Sequence, residues 1–175
     1  RHTRCSRDWS SDVCSSDLMD VPLGRTAGNA LEVRESVEVL AGGGPTDVVD
    51  LTLRLAEEML TLAGARTKDP AVALADGSAM DVWRRMVAAQ GGDPDAPLPQ
   101  ATHTHDIVAD ADGVLSRLDA LPVGIAAWRL GAGRARQGEP VQAGAGVEWF
   151  AAPGDRVTRG QRLFTLHTDT RSEEH

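Results

Sequence analysis

His103 and His105, separated by one threonine, are the most metal-like pair in the sequence. On a strand, residues i and i+2 share a face, so both imidazoles would point the same way, and imidazole is a common ligand for zinc. No third ligand lies nearby in the sequence, and two ordinary surface histidines are the simpler alternative. Cys5 and Cys14 are the only thiols; their spacing fits no common metal or redox site, and there is no second pair. Lys68 is the single lysine and tyrosine is absent, which closes off chemistry that needs a tyrosine acid. Gly131-Ala-Gly133-Arg134 contains a Gly-x-Gly, but it lacks the third glycine of a dinucleotide fingerprint and follows a predicted helix, not a strand. It reads as a helix end and turn. His167 follows Phe164-Thr-Leu166 and reads as an ordering residue near a strand end. Trp83, Trp128 and Trp149 read as core or interface.

The chain that must position these residues has 175 residues and a formal net charge of −8, with 18 Lys+Arg against 26 Asp+Glu. The length bounds it at one or two small domains. The acidic balance argues against nucleic-acid or membrane-surface binding, which needs a basic footprint. No apolar run approaches the roughly 18 residues of a membrane span, and no secretory signal is visible. Residues 1–18 hold both cysteines and show no helical or strand period. Their string RCSRDWSSDVCSSDL resembles translated sequencing-adapter sequence, and residues 171–175 resemble the start of a second such tract. Both ends are read as non-native tails and set aside. The remainder is cysteine-free, which fits a cytoplasmic protein.

Residues 28 to 90 read as four helices. Asn29 is placed to cap the first, with Glu32 as its capping-box partner, and Gly42-Gly43-Gly44 ends it. Pro45-Thr46 opens a second, with Val48, Leu51, Leu55, Met59 and Leu62 on one face. A short third starts at Asp69-Pro70. Ser78 with Asp81 caps a fourth whose Val82, Met86 and Ala89 face inward. Gly91 to Pro99 has linker composition. Beyond it Thr102–Val108 alternates weakly, and the pattern predicts strands at Gly113–Leu118, Gly146–Phe150 and Arg162–Leu166 and a short helix over Val123–Leu130.

Three blocks carry a resemblance. Met19-Asp-Val-Pro-Leu-Gly-Arg-Thr-Ala-Gly-Asn-Ala-Leu-Glu-Val-Arg-Glu35, Leu130-Gly-Ala-Gly-Arg134 and Gly154-Asp-Arg-Val-Thr-Arg-Gly-Gln-Arg-Leu163 stand in an order and spacing similar to those of the thymidine and pyrimidine-nucleoside phosphorylases. The resemblance covers about Met19 to Asp169. It implies a C-terminal part of such an enzyme. Residues 19–100 are then the C-terminal part of a central α/β domain, mostly helices. Residues 101–170 form a small α+β, barrel-sandwich-like module.

The implied reaction is glycosyl transfer to phosphate. Inorganic phosphate attacks the anomeric carbon of a pyrimidine (deoxy)nucleoside, the glycosidic bond breaks, and base and pentose 1-phosphate leave. Catalysis there rests on positioned phosphate and on donors to the leaving base. The family's phosphate loop and base-holding Arg, Ser and Lys have no match in this chain, so no catalytic or substrate-binding residue is assigned and the chain alone is expected to be inactive. One element carries over. The resemblance implies a structural potassium-like cation held by the main-chain carbonyls of Leu23 and Thr26 and the Glu35 side chain. Carbonyl oxygens that replace a hydration shell suit such an ion. Leu23 and Thr26 are expected in a non-helical turn. The remaining ligands belong to the missing side, so weak or no binding is expected, and Glu35 as a solvated helix charge stays open. No organic cofactor is implied. The parent enzyme is expected to be a homodimer whose dimer domain this chain lacks, which would leave apolar helix faces exposed.

Gly154 to Leu163 followed by Phe-Thr-Leu also resembles biotinyl and lipoyl carrier domains, but residues 101–170 contain no lysine to modify. The alternative that survives is a non-catalytic β-rich module for domain packing or assembly.

Overall fold

The structure is a computed structural model and describes residues 20–65, 69–134 and 136–170. The tails, with Cys5 and Cys14, and Lys68 lie outside the described residues. The helices follow the predicted periods, with corrections at their starts. Helix α1 spans Asn29–Leu40, but its cap is Gly28, whose N–H donates to Glu32 Oε1 at 2.8 Å. Asn29 is not the cap: it is already helical, and its side-chain amide donates to the Ala132 carbonyl at 2.9 Å. A long-range partner outcompetes the local one. Helix α2 spans Thr46–Leu62 after Pro45, and α3 spans Pro70–Ala75, with the Asp69 side chain accepting from Ala71 N. Helix α4 spans Ser78–Ala89; its cap is Gly77 (φ +80°), not Ser78, whose N–H is held by Asp76 Oδ1. Helix α5 spans Ala120–Ala127 and runs into a wider turn, Trp128–Ala132, broken at Gly131 (φ +104°).

Six short strands follow the chain order β1 Thr26–Gly28, β2 His103–Val108, β3 Gly113–Val114, β4 Gly146–Trp149, β5 Arg156–Val157 and β6 Arg162–Thr168. Four of them form an antiparallel sheet in the order β1-β4-β6-β2, and β3 pairs with β5. The expected strand Gly113–Leu118 is only two residues long. Leu115 instead exchanges hydrogen bonds with the 154–155 turn, its N–H donating to the Asp155 carbonyl and its carbonyl accepting from Gly154 N. The architecture is α+β.

The two faces of the sheet differ in chemistry because side chains alternate along each strand. One face holds Val147, Trp149, Phe164 and Leu166, packed with Leu118 and with Val123 and Ala127 of α5. Trp149 is 2% exposed and is the largest fully buried side chain. A second small cluster joins Ala109, Ala151 and Val157 beneath the β3–β5 pair. The other face of the large sheet is polar. Register sets Thr26 opposite Glu148, Glu148 opposite Thr165, and Thr165 opposite Asp106 in one row.

Much of the inward face expected of α2 and α4 is exposed among the described residues, although Val48 and Leu51 at the start of α2 are partly covered. Leu55, Met59 and Leu62 are 51%, 69% and 87% exposed, and Val82 and Met86 are exposed as well. Periodicity marks a face to be covered; it does not say by what.

Candidate functional site

Glu35 lies two turns into α1, and its carboxylate reaches back over the entry to that helix. Its Oε1 accepts from Arg25 N at 2.8 Å. The next amide, Gly24 N, donates to Asp47 Oδ2 of α2 at 3.0 Å. The turn is thus tied to two helices by two carboxylates. Gly24 has φ +74°, and any Cβ there would run into Glu35 Oε2 and the Val48 side chain. Glycine is required at this point both for the backbone conformation and for the approach of the carboxylate.

Thr26 is the first residue of β1, not part of the expected turn. Trp149 N donates to the Arg25 carbonyl at 2.9 Å. The Thr26–Glu148 pair therefore falls between hydrogen-bonded positions of the antiparallel ladder, and the Thr26 carbonyl turns toward the open edge of the sheet. The carbonyl still faces away from β4 after the change from turn to strand. Thr26 is buried, 7% exposed, and its hydroxyl lies beside the Glu35 carboxylate. Leu23 is 44% exposed in the same segment. The structure thus brings Thr26 and Glu35 together, with Leu23 close by in sequence.

Burial pushes the Glu35 carboxyl above the ordinary carboxylate range. The Arg25 N–H and the Thr26 hydroxyl pull it back, while the charges of Asp47 and Glu38 push it further up. Beside it opens a cleft of about 440 Å³ lined by Arg25, Arg34, Glu38, Glu148 and Phe150 among others. Across the cleft, Arg34 of α1 pairs with Glu148 Oε1 at 3.1 Å. His167 Nε2 stands 3.5 Å from Glu148 Oε2, buried and without a hydrogen bond. Its expected place near a strand end holds, since it is the penultimate residue of β6.

His103 and His105 lie on β2 at the sheet edge, both exposed. Among the described residues no group of three or more His, Cys, Asp or Glu could hold a metal ion. The pair gains no third ligand from the fold. Asp47, Glu38 and Glu148 were not singled out by sequence. Asp47 had one available signal, an acidic residue in the first turn of a helix, and it is shared with many plain helices.

Residues 114–175 match the family described as the pyrimidine nucleoside phosphorylase C-terminal domain. The chain is similar to the thymidine phosphorylase of Mycobacterium tuberculosis (strain CDC 1551 / Oshkosh), 60% identical over 151 residues that cover 86% of this chain and 35% of that protein. It is 39% identical to the human thymidine phosphorylase over 171 residues, 86% of this chain and 36% of that protein. It is 38% identical to the pyrimidine-nucleoside phosphorylase of Bacillus subtilis (strain 168) over 162 residues, 86% and 37% respectively. The chain therefore spans little more than a third of the length of these relatives. The resemblance seen in the three sequence blocks is shown over this part.

Proposed function

We propose that this chain is the C-terminal part of a phosphorolytic enzyme that converts a pyrimidine (deoxy)nucleoside and inorganic phosphate to the free base and a pentose 1-phosphate. The observation that carries this reading is the 60% identity to a thymidine phosphorylase across 86% of the chain. The work of these residues is support. The Gly24–Arg25 turn, held by Glu35 and Asp47, gives a rigid edge against which a phosphate-binding segment can be set. The parent enzyme on this reading is a cytoplasmic homodimer. The β3–β5 pair beside the four-stranded sheet supports a barrel-sandwich-like form for residues 101–170.

A monovalent, potassium-like cation at Leu23, Thr26 and Glu35 belongs to the same reading. The donor set suits it: a desolvated carboxylate and an edge-facing carbonyl. When bound, the cation supplies a fixed positive charge that neutralises Glu35. The residues themselves hold the turn in place and keep the acidic pocket from being filled by a Cβ at Gly24.

On its own the chain is expected to release no thymine from thymidine in phosphate buffer, because no residue here matches the family's phosphate loop or base-holding donors. Phosphate-dependent release by purified chain, followed by chromatography of the base, would overturn that expectation. Activity regained when an upstream segment of the relatives' sequence is joined before Met19 supports the enzyme reading.

A further inference from the structure

We propose that His103 and His105 form an open two-imidazole chelate for a divalent transition ion of the copper, nickel or zinc kind, with water completing the ion's coordination shell. The site lies on a different strand from the Glu35 corner and stands independently of the cation reading.

The fold fixes what the His-Thr-His spacing alone leaves open. His103 opens β2, and the strand is paired with β6 along its length. Alternation then sets both imidazoles on one face, at the positions opposite Thr168 and Leu166. At the ordinary strand rise their Cα atoms stand about 7 Å apart. Two imidazoles close that span on one ion at metal–nitrogen bonds of about 2 Å. The start of the strand is pinned, because Thr102 donates to Asp169 Oδ1 through both its N–H and its hydroxyl, each at 2.8 Å. Ligands held on such a backbone need little rearrangement when an ion arrives. Access is equally direct. β2 is the outer strand of the sheet, and both histidines are exposed. Neither imidazole makes a hydrogen bond or an ion pair with a described residue, so the ring nitrogens are available. Asp169 lies close enough to His103 for each to feel the other's charge. A carboxylate beside a ligating histidine offsets the charge of the ion and strengthens the ligand. Imidazole nitrogen suits copper, nickel and zinc, whereas magnesium and calcium prefer oxygen. Among the described residues there is no third protein ligand, which leaves the other coordination positions to solvent. The site is therefore an exchangeable one at the surface, unlike the closed four-ligand sites that hold a fold together.

The test uses the whole 175-residue chain, with Cys5 and Cys14 alkylated so that thiols do not compete. Cu²⁺ is the probe, since it binds nitrogen sites most tightly of the three ions. Amide proton–nitrogen spectra are followed as substoichiometric Cu²⁺ is added, because the paramagnetic ion broadens only signals in its neighbourhood. Broadening is expected to be strongest at residues 102–106 and 166–169, and Mg²⁺ should leave the same signals unchanged. His103→Gln and His105→Gln should each raise the Cu²⁺ concentration needed to broaden these signals roughly tenfold or more, as a chelate falls to a single ligand. The double variant should keep them sharp. Both side chains are exposed, so all three variants should keep the wild-type Tm without metal. Signals at residues 102–106 that stay sharp in wild type, or that broaden equally in the double variant, overturn the site. Unchanged Cu²⁺ dependence in either single variant overturns the two-imidazole chelate.

Discussion

At the scale of single residues, the best-connected polar corner is not at the candidate site but at the far end of the sheet. Asp169 Oδ1 accepts from both the backbone N–H and the hydroxyl of Thr102, each at 2.8 Å, closing the start of β2 onto the end of β6. Gln142 binds the same corner, its Oε1 accepting from Asp169 N at 2.7 Å and its Nε2 donating to Thr170 Oγ1. The Thr102 N–H, with its hydroxyl, holds the Asp169 carboxyl below the ordinary range. A carboxyl depressed in the folded state stabilises above its unfolded pKa, and that contribution is lost as pH falls through the folded value. Asp169→Asn is therefore expected to lower Tm slightly at neutral pH and to flatten part of the acid-side decline; Tm measured from pH 7 to pH 2 checks both. None of this was legible in the sequence. Asp169 and Gln142 sit in stretches with no motif, and their partners are 67 and 27 residues away. Glu35 was legible only through the resemblance, since its own neighbours read as an ordinary helix.

At the scale of elements, sequence did better where a pattern is local and worse where partners decide. The first four helices fall where their periods put them, and Asp69-Pro70 starts α3 as read, whereas the helix expected over Val123–Leu130 runs from Ala120 to Ala127. The helix starts at Asn29 and Ser78 shifted by one residue, because a glycine took the cap in each case. The three tryptophans singled out together separate in the fold. Trp149 on β4 is 2% exposed between the sheet and α5, whereas Trp128 is 45% exposed and Trp83 is half-buried. Large-to-small change at a packed aromatic typically costs about 3–5 kcal/mol, through lost burial and the cavity left behind. Trp149→Ala is expected at that level, a large share of the stability of a small domain. Trp128→Ala should cost far less, the lost hydrogen bond from its ring N–H to the Arg134 carbonyl included. Urea unfolding followed by circular dichroism would check the order, and equal losses would contradict the placement of Trp149 in the core.

At the scale of the whole molecule, the linker at Gly91–Pro99 suggests a division that the sheet does not respect. Strand β1 comes from before the linker and pairs with β4 from after it, at Thr26–Glu148 through Gly28–Gly146. Helix α1 adds to the join: Ala30 N donates to the Ala143 carbonyl at 2.9 Å, Asn29 reaches Ala132, and Arg34 pairs with Glu148. Residues 101–170 taken alone would lose these contacts, and β4 would become an edge strand with unpaired N–H and C=O groups beside the Trp149 core. Exposed edges of that kind invite pairing with other chains. Residues 20–170 and residues 101–170 are therefore expected to behave differently in gel filtration and thermal unfolding. The shorter piece should unfold at lower temperature and self-associate through the bared β4 edge. The longer one keeps the edge covered, although it still presents the apolar face of α2, with Leu62 87% exposed. Self-association of the longer piece should respond to Met59→Glu with Leu62→Glu, which charges that face. The shorter piece lacks α2, so charging the helix cannot be what rescues it. If residues 101–170 instead form a stable, discrete oligomer as tight as the longer chain, the assembly-module alternative gains and the role of β1 as a necessary edge cover falls.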